Sequence, residues 1–271
     1  MALVGGDRRR VQITIAAMAL LVVAAITGIG QDEAAGASLP EPPPDQGGES
    51  GQPPVTFSGD VVRGLEALRK PASAEPDAKP PERPSKVIYL TFDDGPTVAH
   101  TKRILGLLDE YDAKATFFQV GENATAHPEL TRSVIERGHA LGNHSWNHRD
   151  MRKLGPRKLR HQITRTSDAL RKITGTPITC LRPPYGAVNG KVRSAVRGEK
   201  LSLKLWDIDP RDWKRPGAAA IARRVISRAD PGDVALMHDG GGKRAQSVEA
   251  LERILRSLSK KGYGFETLPG C

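Results

Sequence analysis

"VIYLTFDDGP", Val87 to Pro96, decides how the rest of the chain is read. Its apolar, β-branched and aromatic start reads as a buried strand. The strand runs straight into two carboxylates, Asp93 and Asp94. Adjacent acids repel, and both lose hydration wherever water is scarce. Asp-Gly-Pro is also strong turn chemistry, so a polar turn is the plain alternative. What the other strands carry at the same end must choose between a turn and a site.

Toward the C-terminus, short apolar runs recur at 87–92, 115–120, 139–143, 178–181, 201–206, 233–238 and 262–268. Helix-like segments lie between them, near 99–111, 128–138, 156–174, 189–198, 217–229 and 245–262. In the last of these, Val248, Leu251, Ile254, Leu255 and Leu258 form one apolar stripe, and Gly262 suits its stop. Strands alternating with helices predict a parallel α/β sheet, closed as a barrel or left open. Seven strands in place of eight point to a distorted, incomplete (β/α) barrel. Residues 85–271 are expected to form one domain.

In a parallel barrel the active site gathers at the C-terminal ends of the strands. Asp93 and Asp94 follow the first strand, and His144 and His148 of "HSWNH" follow the third. Arg182 to Tyr185, "RPPY", follow the fourth. Asp209, Asp212 and Trp213 follow the fifth, and His238, then Asp239, close the sixth. A lone histidine is more often a satisfied surface or core residue. Polar outliers converging at five strand ends are much harder to explain as packing. Two histidines at i and i+4 can face one metal ion, with a carboxylate as third ligand and an open position for water. That donor set suits zinc, with cobalt or nickel as alternatives. One aspartate can then bind the cation while its neighbour takes a proton, and the ion's charge offsets their repulsion.

"TFDDGP", "HSWNH", "RPPYG", "DPRDW" and "LMHDGGG" resemble, in order and rough spacing, the five motifs of polysaccharide deacetylases, the NodB-homology domain of carbohydrate esterase family 4. The resemblance covers about residues 85–271. It implies an incomplete (β/α) barrel, with Asp94, His144 and His148 binding the metal and Asp93 acting as general base. Arg182 would hold Asp93 ionised and oriented. The Tyr185 N–H would stabilise the oxyanion, Trp213 would wall the groove and Leu236 would line the acetyl pocket. His238 would be the general acid, tuned by Asp212, with Asp209 as the alternative partner. The activity implied is metal-dependent removal of N-acetyl groups from an N-acetylglucosamine polymer, releasing acetate. An O-acetyl esterase acting on xylan is the alternative within the fold, and a non-catalytic, metal-bound wall-binding protein is the alternative outside it.

Ahead of this domain, Arg8 to Arg10 precede a mostly apolar run, 11–30. Residues 1–37 therefore read as a cleaved export signal or a retained membrane anchor, placing the rest outside the cytoplasm. Residues 38–84 are rich in proline and glycine and read as a semi-extended linker, with one short amphipathic stretch at 60–70. The chain's two cysteines, Cys180 and Cys271, would form one disulfide or remain buried thiols.

The formal net charge is +10, and residues 1–84 carry more acids than bases, so the domain is more cationic still. Charge alone admits nucleic acid, anionic membrane or anionic wall polymers as partners. The export signal opposes nucleic acid, and export with positive charge favours peptidoglycan over soluble chitin. A solvated cationic surface is the plain alternative. With 4% aromatic residues, stacking platforms are few beyond Trp213, Trp206 and Trp146, and Trp206 suits the core equally. "GGGKR", 240–244, lacks the GxxxxGK[ST] spacing of a phosphate loop and reads as a flexible loop. A monomer is expected.

Overall fold

The structure, a computed structural model, describes residues 86–271. The predicted export segment, linker and amphipathic stretch lie outside the described residues. Seven strands appear in chain order: β1 (Lys86–Asp93), β2 (Ala115–Gln119), β3 (Ala140–Asn143), β4 (Cys180–Leu181), β5 (Ser202–Leu203), β6 (Val234–His238) and β7 (Tyr263–Phe265). Seven α-helices accompany them: α1 (Thr101–Glu110), α2 (Gly121–Ala126), α3 (Pro128–Glu136), α4 (Pro156–Thr174), α5 (Gly190–Gly198), α6 (Ala218–Ile226) and α7 (Ala245–Lys260).

All strand pairs are parallel, in the order β5-β4-β3-β2-β1-β6, with β7 also beside β1. β6 pairs with Tyr89–Asp93 on one side of β1, while β7 pairs with Lys86–Ile88 in line with β2, where the Lys114 N–H leading into β2 donates to the Phe265 carbonyl at 3.0 Å. The sheet curls into a half-barrel. A single parallel bridge, Ile208 to Ala235, brings the chain after β5 back toward β6. This is the incomplete barrel expected from seven strands.

Helix α4 shows how local sequence builds the frame. Gly155 precedes it, Pro156 opens it where the missing N–H costs nothing, and Gly175 ends it at a left-handed φ of 72°. Leu159, Ile163, Thr166 and Leu170, spaced by four, three and four, form its buried face. The main core lies between the sheet and α1 and α7, where Leu90, Phe92, Phe117, Ile104, Leu108, Leu251 and Leu258 are fully buried. Phe92 and Phe117 stack with ring centroids 5.1 Å apart. β4 and β5 are shorter than the apolar runs implied. Pro183 and Pro184 follow Arg182 and cannot extend a ladder after β4. A disulfide joins Cys180 to Cys271 across 91 residues, which sets aside the buried-thiol alternative.

Candidate active site

Strand register delivers the site. Asp93 sits between Phe118 of β2 and His238 of β6, so an acid and an imidazole become lateral neighbours. Beyond β1 the chain turns at Asp94, whose φ is 75°. Ser145, His148 and Tyr185 also hold left-handed φ values, of 66°, 55° and 61°. Such backbone is uncommon for non-glycine residues and clusters at functional sites.

The turn sends the two carboxylates to different partners. Asp93 Oδ1 accepts from Arg182 Nη1 at 2.8 Å, and the same nitrogen donates to Thr91 Oγ1 at 2.7 Å. Arg182 is wholly buried, lies 4.1 Å from the Phe118 ring centroid, and donates through Nη2 to the Leu205 carbonyl at 2.8 Å. A buried guanidinium so fixed has little freedom to release Asp93.

Asp94 Oδ1 faces both histidines, 3.3 Å from His144 Nε2 and 3.0 Å from His148 Nε2. Ligand atoms of Asp94, His144 and His148 all lie within 4.8 Å of one another. Burial works against the Asp94 charge, but the two neighbouring histidines outweigh it and hold its pKa well below the usual carboxylate range. His144 Nδ1 lies 2.7 Å from the Arg182 carbonyl and donates to it, which leaves the Nε2 lone pair directed at Asp94. Asp94 Oδ1 is buried without a regular hydrogen-bond donor. One orphaned carboxylate oxygen and two converging imidazoles fit a divalent cation by donor chemistry.

Across the rim, His238 Nδ1 is 2.7 Å from Asp212 Oδ1. Asp212 Oδ2 accepts from Ser247 Oγ at 2.6 Å and from the His238 backbone N–H at 2.9 Å. Burial disfavours the imidazolium, but the hydrogen bond and charge of Asp212 prevail and push the His238 pKa up to about 9. Asp209, the alternative partner, instead accepts from the Arg211 N–H at 2.7 Å.

These groups share one cavity of about 510 Å³. Its walls include Asp93, Asp94, His144, His148, His238, Leu236, Tyr185 and Trp213, so the sequence-selected residues are brought together. Arg182 and Asp212 stand just behind them. Tyr185 and Trp213 are exposed at the mouth, and the Tyr185 ring packs edge-on against His148 at 4.6 Å. Trp206 also lines the cavity and is only partly buried, so it serves the site and the frame together. Sequence reasoning missed Thr91, Ser247 and Arg244. A threonine inside a strand and a serine early in a helix carry no local signal, since their roles arise from tertiary contacts.

Fold and rim together define an α/β half-barrel hydrolase whose Asp-His-His cluster can take a cation. The chain belongs to the polysaccharide deacetylase family, whose model matches residues 81–202. A peptidoglycan-N-acetylglucosamine deacetylase of Bacillus cereus is 40% identical over 68% of this chain and 86% of its own length. A chitooligosaccharide deacetylase of Sinorhizobium fredii is 34% identical over 67% of this chain and 90% of its own. The solved structure of peptidoglycan deacetylase PdaC from Bacillus subtilis superposes with a TM-score of 0.64 at 39% identity, covering 68% of this chain and 88% of that one. Relatives in this family are named as deacetylases of peptidoglycan and of chitooligosaccharides.

Proposed function

We propose that this protein acts outside the cytoplasm, removing N-acetyl groups from the N-acetylglucosamine of peptidoglycan and releasing acetate. One observation carries the reading: the Asp94, His144 and His148 cluster shares its cavity with an arginine-held Asp93 and an aspartate-held His238. Relatives named for peptidoglycan and the positive charge of residues 85–271 support the substrate. The Cys180–Cys271 disulfide and the apolar run at 11–30 support export, since such bonds persist in oxidising compartments.

Asp94, His144 and His148 would hold the cation, zinc by donor type. When bound, such an ion polarises an acyl carbonyl and lowers the pKa of water toward ~7. Asp93, fixed by Arg182, takes the proton from the attacking water, a role typically worth ~10²–10⁴-fold. The Tyr185 N–H donates to the developing oxyanion, and Leu236 offers an apolar wall to the acetyl methyl. Asp212 holds the His238 proton on Nδ1, so a protonated His238 gives its Nε2 proton to the departing amine. The amide C–N bond breaks, and the acetyl carbon leaves as acetate. Trp213 and Tyr185 present flat apolar surface to a sugar ring at the mouth.

The test is acetate release by the zinc-loaded full chain from peptidoglycan, chitooligosaccharides and acetylated xylan. Release from peptidoglycan is expected, cut about 10²–10⁴-fold in the Asp93→Asn variant. Release from xylan alone would make the protein an ester hydrolase, and release from none would remove the catalytic reading.

A further inference from the structure

The "GGGKR" run, read from sequence as a flexible loop, is packed against the acid doublet. The Asp239 and Gly240 N–H groups both donate to the Asp93 carbonyl, at 3.1 and 3.3 Å. A Cβ at Gly240 would stand 2.1 Å from the Asp94 carbonyl oxygen, and one at Gly241 would stand 2.3 Å from Asp94 Oδ2. Gly241 also holds a φ of 67°, so both space and backbone favour glycine there. The loop therefore lies directly on the carboxylate oxygen that does not face the histidines.

Arg244, which with Gly241 also lines the cavity, fixes that loop. Its side chain is buried, and its Nε donates to the Gly240 carbonyl at 2.8 Å while Nη2 donates to that of Gly241 at 3.0 Å. Among the described residues no carboxylate lies within ion-pair distance of it. A buried guanidinium without a counter-charge is costly unless its geometry is needed. Its backbone N–H donates to His100 Nε2 at 3.2 Å. His100 Nδ1 in turn meets Thr97 Oγ1 at 3.1 Å, and Thr97 Oγ1 donates to the Asp239 carbonyl at 2.7 Å. The loop is thus tied at both ends to the segment that follows Asp94.

We propose that Arg244 and the Gly240–Gly241 loop form a clamp that seats Asp94 Oδ2, turning Oδ1 toward His144 and His148 and thereby setting cation affinity. Arg244 acts through the loop, as a positioning residue. The proposal rests on Asp94 being a metal ligand. A lysine at 244 carries all its donors on one terminal nitrogen and so cannot reproduce the planar pair of Nε and Nη2 bonds.

The test measures zinc affinity of the full chain by chelator competition, with thermal unfolding in EDTA as the folding control. Gly241→Ala, Arg244→Gln and Arg244→Lys are expected to weaken zinc binding by about 10- to 100-fold, the usual cost of losing groups that orient ligands. Their EDTA unfolding midpoints should fall but stay above the assay temperature, so that affinity is read on folded protein, and Lys243→Ala, an exposed neighbour, should bind as the parent does. Asp94→Asn is the reference. If it binds zinc as the parent does, the ligand assignment fails. If it loses zinc while Gly241→Ala and the Arg244 variants retain parental affinity, the clamp alone is overturned. Should Arg244→Gln fail to fold, Gly241→Ala, which leaves the guanidinium in place, decides by the same readout.

Discussion

Asp93 and Asp94 differ by one peptide unit, yet a φ of 75° at Asp94 sends their carboxylates to different neighbours. Asp93→Asn should lower turnover by about 10²–10⁴-fold, the range for general-base catalysis, while zinc affinity stays near the parent's. Steady-state acetate release and chelator competition on one preparation would check both halves. At His238 the pH behaviour follows from sign. Its pKa is raised to about 9, so activity should fall as pH rises through that value. Asp212→Asn should bring the basic limb down toward ~6.5 and reduce kcat, as a pH–rate profile would show. The ion pair's contribution to stability should hold between the usual aspartate and histidine pKa values, ~4 and ~6.5, and fade as pH rises through about 9. The residues gathered at the cavity were legible because polar groups at the ends of apolar strands are conspicuous. Thr91, Ser247 and Arg244 were not, because their partners lie 91, 35 and 144 residues away or in a loop that looked featureless.

At the scale of elements, register matters more than strand length. β4 needs only Cys180 and Leu181 to place Arg182, because the Arg182 N–H then donates to the Asn143 carbonyl at 3.0 Å. Periodicity located every strand and six of the helices, but it overestimated β4, β5 and β7, where apolar residues continue beyond the ladder. It passed over α2, whose "GENATA" lacks an apolar stripe. That helix is held instead by the Gly121 and Glu122 N–H groups donating to the Ser145 and Trp146 carbonyls, both at 3.0 Å. Gly142 in β3 marks a tight approach, since a Cβ there would meet Phe118 Cδ1 at 2.3 Å and Cys180 Sγ at 3.0 Å. Gly142→Ala should destabilise the domain by about 1–3 kcal/mol, as overpacking does, measured by urea unfolding. His139 packs 5.5 Å from the Phe117 ring, and burial followed by the charge of Lys114 pushes its pKa down to about 4. Its neutral form therefore stabilises the fold above ~6.5, and that contribution is lost as pH falls through about 4. His139→Phe should shift the acid-unfolding midpoint to lower pH, followed by circular dichroism.

For the whole molecule, the disulfide closes a sequence separation of 91 residues and holds the C-terminus to β4. Cys271→Ser should cost about 2–4 kcal/mol of unfolding free energy, and a reductant should do the same to the parent. The half-barrel was foreseeable from strand count and alternation. The pairing of β7 with the start of β1, in line with β2, was not, because no local pattern states which strand a third neighbour will join.

That arrangement has a practical outcome. Lys86 enters the sheet beside Tyr263, at the opposite end of β1 from Asp93. Seven residue steps at ~3.3 Å each separate them by about 23 Å. A surface, bead or reporter joined directly at residue 86 is therefore attached at the floor of the half-barrel, at the opposite end of β1 from the cavity.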